Sequence, residues 1–216
     1  MKPILLFSLG SLLFVSCSKD RLTANGEQIS ETREPGSFKG VTVTGSTDAI
    51  VTYGDEFKVV LSGSSNLIPR FKTTVRSGIL YLEYEHVNVA HDDIQVTVVV
   101  PELERLAVSG SAGIDVNTEF PEVDKLTVLI SGSGSIKIRE RLTVEEISVD
   151  ISGSGNADLL KLQAINADVN ISGSGDVKVG PLDNLKARIS GSGNIYYMGN
   201  PQTDVKISGS GKAIKR

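Results

Sequence analysis

The pentapeptide Ile-Ser-Gly-Ser-Gly occurs five times, at Ile130–Gly134, Ile151–Gly155, Ile171–Gly175, Ile189–Gly193 and Ile207–Gly211. An imperfect copy, Val108-Ser109-Gly110-Ser111-Ala112, precedes them, and looser relatives stand at Val43-Thr44-Gly45-Ser46 and Leu61-Ser62-Gly63-Ser64. From Val108 onward the copies are 22, 21, 20, 18 and 18 residues apart. Self-similarity at that period marks a solenoid, in which each repeat is one coil that buries its apolar face only against its neighbours.

The residues around each copy alternate. Leu126, Val128, Ile130, Gly132, Gly134, Ile136 and Ile138 are apolar or glycine, and Thr127, Ser131, Ser133, Ser135 and Lys137 between them are polar. The same parity runs through Val149–Leu159, Val169–Val179, Ala187–Tyr197 and Leu106–Val116. A period of two is that of a β-strand with one buried face. Paired glycines inside a strand mark a sharp bend or a close backbone approach. Gly110, Gly132, Gly134, Gly153, Gly155, Gly173, Gly175, Gly191, Gly193, Gly209 and Gly211 are therefore expected to be structural corner residues. Two ladders of serines would then stack on the outside at roughly the 4.8 Å strand spacing. The pattern predicts an all-β, right-handed parallel β-helix of about 18–22 residues per coil, the hand following the rule for parallel crossovers. An antiparallel sandwich is the competing architecture, but it does not account for one phrase returning in phase.

Residues 1–16 read as a signal peptide: Lys2, an apolar run from Ile4 to Val15, and a small residue before Cys17. Phe14-Val15-Ser16-Cys17 resembles a bacterial lipobox, which makes Cys17 the lipidation site. It is the only cysteine in the chain, so no disulfide partner competes for it. Residues 17–36 are polar and read as a lipidated N-terminus with a flexible tether. Residues 37–216 form the β-helix domain, with irregular first coils and a cap over 37–100 and regular Gly-Ser-Gly coils over 101–216. Lys212, Lys215 and Arg216 charge the last coil, a common way to blunt a sheet edge.

The charge balance argues against a nucleic-acid surface. Without residues 1–16 the chain has 21 basic and 26 acidic residues, and tryptophan is absent. The glycine-serine phrase lacks the third glycine of a dinucleotide fingerprint, and Gly211-Lys212-Ala213 lacks the spacing of a P-loop. The residues after the phrase are Ser135, Asn156, Asp176, Asn194 and Lys212, which do not keep the acid a calcium β-roll needs. Glu83, Glu85, His86, His91, Asp92 and Asp93 form the densest group of possible metal ligands, but without metal-site spacing, so a solvated hairpin end is the preferred reading. No carboxylate pair recurs across neighbouring coils, and histidine occurs only at 86 and 91, which leaves no catalytic residues and no cofactor to propose.

Three stretches in order carry a family resemblance: Phe38-Lys39-Gly40-Val41-Thr42-Val43, Val98-Val99-Val100-Pro101-Glu102-Leu103 and the Gly-Ser-Gly coils. Together they resemble the head GIN domain family, autotransporter-adhesin-like proteins frequent in Bacteroidetes and often lipoproteins. The resemblance implies a pectin-lyase-like β-helix, a role in adhesion, no catalytic residues and, as the candidate homo-oligomer, a trimer. The expectation is a cell-envelope, outer-membrane lipoprotein whose β-helix binds a glycan or protein ligand. A β-helix carbohydrate-active enzyme, a polysaccharide lyase or hydrolase, and a self-associating structural envelope protein are the alternatives.

Overall fold

A computed structural model describes residues 21–85 and 87–216. Cys17, the residues expected to be a signal peptide, and His86 lie outside the described residues. The regular structure of the described chain is strand, apart from one 3-10 turn at Ile68–Arg70. The first strands are β1 (Arg21–Thr23), β2 (Gln28–Arg33), β3 (Gly40–Gly45), β4 (Ala49–Tyr53), β5 (Lys58–Ser64), β6 (Phe71–Arg76) and β7 (Ile79–Tyr84). They are followed by β8 (Asn88–Ala90), β9 (Gln95–Val100), β10 (Arg105–Gly110), β11 (Gly113–Val116), β12 (Val123–Gly132) and β13 (Ser135–Ile138). The last are β14 (Leu142–Gly153), β15 (Asn156–Leu159), β16 (Leu162–Gly173), β17 (Val177–Gly191), β18 (Asn194–Gly209) and β19 (Lys212–Lys215).

Two parallel ladders run the length of a β-solenoid. One follows β7–β3–β10–β12–β14–β16–β17–β18 and the other β9–β4–β11–β13–β15–β17–β18–β19. The phrases align residue for residue: Ile130 faces Ile151, which faces Ile171, then Ile189 and Ile207. The looser relative at Val43–Ser46 is a true coil, with Gly45 level with Gly110. Leu61–Ser64 is not, because it ends the antiparallel strand β5.

The corner between the two ladders is held by one repeated device. Gly110, Gly132, Gly153, Gly173, Gly191 and Gly209 all have φ between +117° and +133°, the region that favours glycine. In that conformation the carbonyl of Gly132 accepts N–H groups from Ser154 (2.8 Å) and Gly155 (3.0 Å) of the next coil. Gly45, Gly110, Gly173 and Gly191 accept the same pair of bonds from the coil that follows each of them. A β-carbon on Gly153 would run into the Gly132 carbonyl oxygen. The second glycine of each pair has a different reason. It is buried and faces inward, and a β-carbon on Gly155 would collide with Cγ2 of Ile130 and the carbonyl of Gly134. Gly153, by contrast, is half-buried and limited by the coil beneath it rather than by the interior.

Inside, the alternation delivers a continuous core. Leu106, Val108, Ile114, Val128, Ile136, Val149, Ile151, Val169 and Ile171 are all buried in one cluster. Each such side chain contributes roughly 1.5–3 kcal/mol relative to exposure, and no coil could collect that alone.

Residues 54–104 leave the first coil and fold under it. β7 and β9 pair in parallel with β3 and β4, and the antiparallel strands β6 and β5 then close their outer edges. Residues 21–33 depart from the expectation of a flexible tether over 17–36. β2 adds to β5 as a six-residue antiparallel edge, and β1 pairs with β8. The cause is a set of polar bonds that a local reading of a polar stretch does not anticipate. The Arg33 guanidinium donates to the carbonyls of Phe71 (2.5 Å) and Ile68 (2.9 Å), and Asn66 Nδ2 donates to the Thr23 carbonyl (2.8 Å).

Gly153→Ala is expected to cost about 1–3 kcal/mol for the backbone region alone, with the collision against Gly132 added to it. Ser154→Ala, at an exposed neighbour, should stay within about 0.5 kcal/mol. Urea melts of the two variants make the comparison, and equal losses would show that the corner carbonyl is not the constraint.

Candidate functional site

The outward residues of the first ladder form columns along the solenoid. Thr42, Ala107, Leu129, Asp150, Asn170, Arg188 and Lys206 are one column, register partners from coil to coil. Ser109, Ser131, Ser152, Ser172, Ser190 and Ser208 are the next. Between them lies an open groove of about 810 Å³. Among the described residues none of these six hydroxyls finds a protein hydrogen-bond partner, and all six serines are exposed. The second serine ladder, Ser133, Ser154, Ser174, Ser192 and Ser210, stands exposed at the corner, its backbone N–H groups spent on the glycine carbonyls below.

The charges at the two ends of this groove are in no ion pair among the described residues, and those in its middle are engaged. Arg105 lines one end, its Nε buried without a hydrogen-bond partner among the described residues, and Lys206 lines the other. In the middle Asn170 donates to Asp150 (3.0 Å), and Arg188 donates to Asn170 (3.3 Å) and Asp168 (3.4 Å). The outer face of the second ladder carries a groove of about 1020 Å³ whose acids are already engaged. Asp115 pairs with Arg139 (2.6 Å) and Asp158 with Lys178 (3.4 Å). Asp48 accepts from the Gly113 N–H (2.6 Å), Asn156 from Asp176 N–H (3.0 Å), and Asp176 from Asn194 N–H (2.8 Å). These three are the residues that leave the corner, so each Asx side chain caps the strand start of the next coil. The signal was present in the sequence as the Asn/Asp run after the phrase, and it serves the backbone.

The acidic group at 83–93 is divided among structural tasks. Glu83 lies 3.7 Å from Arg76 and Glu85 2.9 Å from Lys72, both across the β6–β7 pair. Asp92 accepts from the hydroxyls of Thr47 (2.5 Å) and Tyr84 (2.6 Å) and from the Ile94 N–H (3.1 Å). Burial, then the bond to Asp92, raises the Tyr84 phenol far above its ordinary value. Asp93 accepts from Ser64 Oγ (2.6 Å), Ser64 N–H (3.0 Å) and Gln28 Nε2 (2.7 Å). The two carboxylates thus latch the loop 91–94 to the first coil, to β5 and to β2. His91 sits exposed at φ +56°. No group of three or more potential ligands among the described residues is placed to hold a metal.

A parallel solenoid with corner glycines, hydroxyl-lined outer faces and an antiparallel cap defines the class. The chain belongs to the head GIN domain family: residues 37–201 match the family described as "Putative auto-transporter adhesin, head GIN domain". The fold is shared with a "putative adhesin" from Bacteroides fragilis NCTC 9343, at TM-score 0.73 and 17% identity over 90% of this chain and 100% of that one. It is shared also with a "Putative lipid binding protein" from Parabacteroides distasonis ATCC 8503, at TM-score 0.62 and 20% identity over 91% and 99%. A "putative adhesin" from Parabacteroides merdae ATCC 43184 superposes at TM-score 0.57 and 18% identity over 92% and 100%. No curated protein matches the chain.

The Asp93 latch makes a pH prediction. Hydrogen bonds from the Ser64 hydroxyl and N–H, with that of Gln28, hold its carboxyl below the ordinary 3.8. A depressed folded value means the contribution is fully present above the unfolded value and is lost as pH falls through the folded one. Hydrogen exchange corrected for intrinsic rates should show protection at residues 62–65 falling only below about pH 4. Asp93→Asn should lower that protection at neutral pH and remove the acid step. An unchanged acid step in Asp93→Asn would assign it to another group.

Proposed function

We propose that the chain is a lipid-anchored protein of the cell envelope whose β-solenoid is a non-catalytic binding and adhesion module. The observation that carries this reading is the row of six serine hydroxyls, unpartnered among the described residues, beside the first groove. Hydroxyls at strand spacing, free of internal bonds, border a groove that is mostly apolar, with Ala107, Leu129 and Ile130 in its lining. The combination suits a long ligand with polar and apolar faces that repeats along one direction, and an extended glycan is the preferred class. Arg105 and Lys206 at the two ends of the groove add charge to that recognition. The adhesin descriptions of the family and of its structural relatives support the same reading. Against catalysis stands the engagement of the carboxylates: Asp115, Asp158 and Asp176 each serve an ion pair or a backbone N–H.

The anchor follows from the lipobox-like Phe14-Val15-Ser16-Cys17. Arg21 begins β1, so only a few residues separate Cys17 from the folded cap. That spacing supports a solenoid standing close to the membrane by its capped end.

Two measurements test the reading. Cys17→Ala should abolish fatty-acid incorporation and move the protein from the membrane to the soluble fraction with its fold unchanged; labelled fatty acid on the variant would refute the anchor. The full chain on a glycan array should retain extended glycans, and Ser152→Val with Ser172→Val should weaken retention about tenfold, at roughly 0.5–1.5 kcal/mol per hydrogen bond. No retained glycan, or identical retention by the double variant, would overturn the groove as the site.

A further inference from the structure

The two ends of the solenoid are unlike. At the N-terminal end β5 and β6 close the edges of β9 and β7, and β2 closes β5. At the other end β19 covers only Asn194–Tyr197 of β18, and nothing among the described residues pairs with the outer edge of Gln202–Gly209. The inward-facing Val205 and Ile207 are 37% and 43% exposed, whereas their register partners one coil earlier, Ala187 and Ile189, are 0% and 2% exposed. Gly209 repeats the corner conformation at φ +128°, yet among the described residues its carbonyl receives no N–H. Among the described residues no strand is stacked on Gln202–Gly209.

We propose that this end is a self-docking surface, on which a second copy of the chain joins by antiparallel pairing of β18 about a two-fold axis at Val205. A copy stacking head to tail would have to offer a bare first coil, and β7 and β9 already occupy that position. Docking by the same end of a second copy gives a closed isologous pair, neither a filament nor the trimer that the family resemblance implies. Charge selects the register. Asp204 and Lys206 are exposed, and among the described residues neither is in an ion pair within the chain. Centred on Val205, the pairing sets Asp204 opposite Lys206 of the partner subunit, and Lys206 opposite Asp204 of the partner subunit. Centred on Asp204 or on Lys206, it sets a charge against its own copy, which is unfavourable for residues directly opposite. On the inner face Val205 meets Val205 of the partner subunit, and Ile207 lies over Thr203 of the partner subunit, so the exposed apolar column is covered.

The test uses the full chain in detergent and needs neither lipidation nor a glycan, so it stands or falls separately from the function proposed above. Sedimentation at tens of micromolar should show a dimer. Asp204→Lys and Lys206→Asp should each weaken it about tenfold or more, since every cross-strand pair becomes like-charged. An equimolar mixture of the two variants should associate again, because the lysine pair of one variant then faces the aspartate pair of the other. Val205→Cys in a Cys17→Ala background should form a disulfide-linked dimer, while Ile29→Cys at the opposite end should not. A wild-type monomer at 100 µM overturns the proposal, as does a mixture that associates no better than the single variants.

Discussion

Everything regular in this molecule depends on a carbonyl oxygen that accepts two backbone N–H groups from the coil above it. A positive φ at Gly132 turns its carbonyl along the stack, where Ser154 and Gly155 donate to it. A side chain at the next coil's equivalent glycine would occupy the space that this oxygen needs. One bend therefore makes three demands together: glycine for the angle, glycine above it for the approach, and a strict register between coils. Because buried backbone groups must be satisfied, a slip of one residue at any corner would leave both the fork and the inward alternation unmet. That shared penalty keeps Ile130, Ile151, Ile171, Ile189 and Ile207 in a single line.

The cap solves a different problem. A stack that can always accept another layer is exposed at its ends, and this chain closes the one beneath β3 and β4. It does so with antiparallel strands, whose hydrogen-bond pattern does not continue the parallel template, and fastens them with polar bonds rather than more core. Asp92, Asp93 and Arg33 tie pieces of chain that are 29 to 65 residues apart in sequence. The acids that a ligand-seeking eye would collect into a site are spent holding this closure in place.

The solenoid and its corners were legible because they are local and repeated: parity, phrase and period all sit within a window of about twenty residues. The division of roles within each glycine pair was not, since it depends on what the coil below presents to Gly153 and Gly155. The cap was only partly legible. Gln28–Arg33 reads as a polar linker, with one apolar residue, Ile29, and becomes a strand only because β5 offers an edge and Arg33 finds the Ile68 and Phe71 carbonyls. Leu61–Ser64 carries the phrase's outline without its role, because its partners are antiparallel. The hydroxyl rows follow from parity alone. That they border a groove with Arg105 at one end and Lys206 at the other emerges only when the coils are stacked.

The order in which the chain is laid down also decides how it would yield to force. A pull on the segment before Arg21 meets β1 and its three-residue pairing with β8 first, and then the six-residue β2–β5 pair. Both belong to the closure and neither to the coils, so the earliest extension would come from strands whose loss leaves the corner forks intact. A pull on the segment after β19 works on the stack itself, unwinding it coil by coil. Each coil of 18 to 22 residues would release roughly 60–80 Å of extended chain. The same fold is thus a fastening at one terminus and a spool at the other.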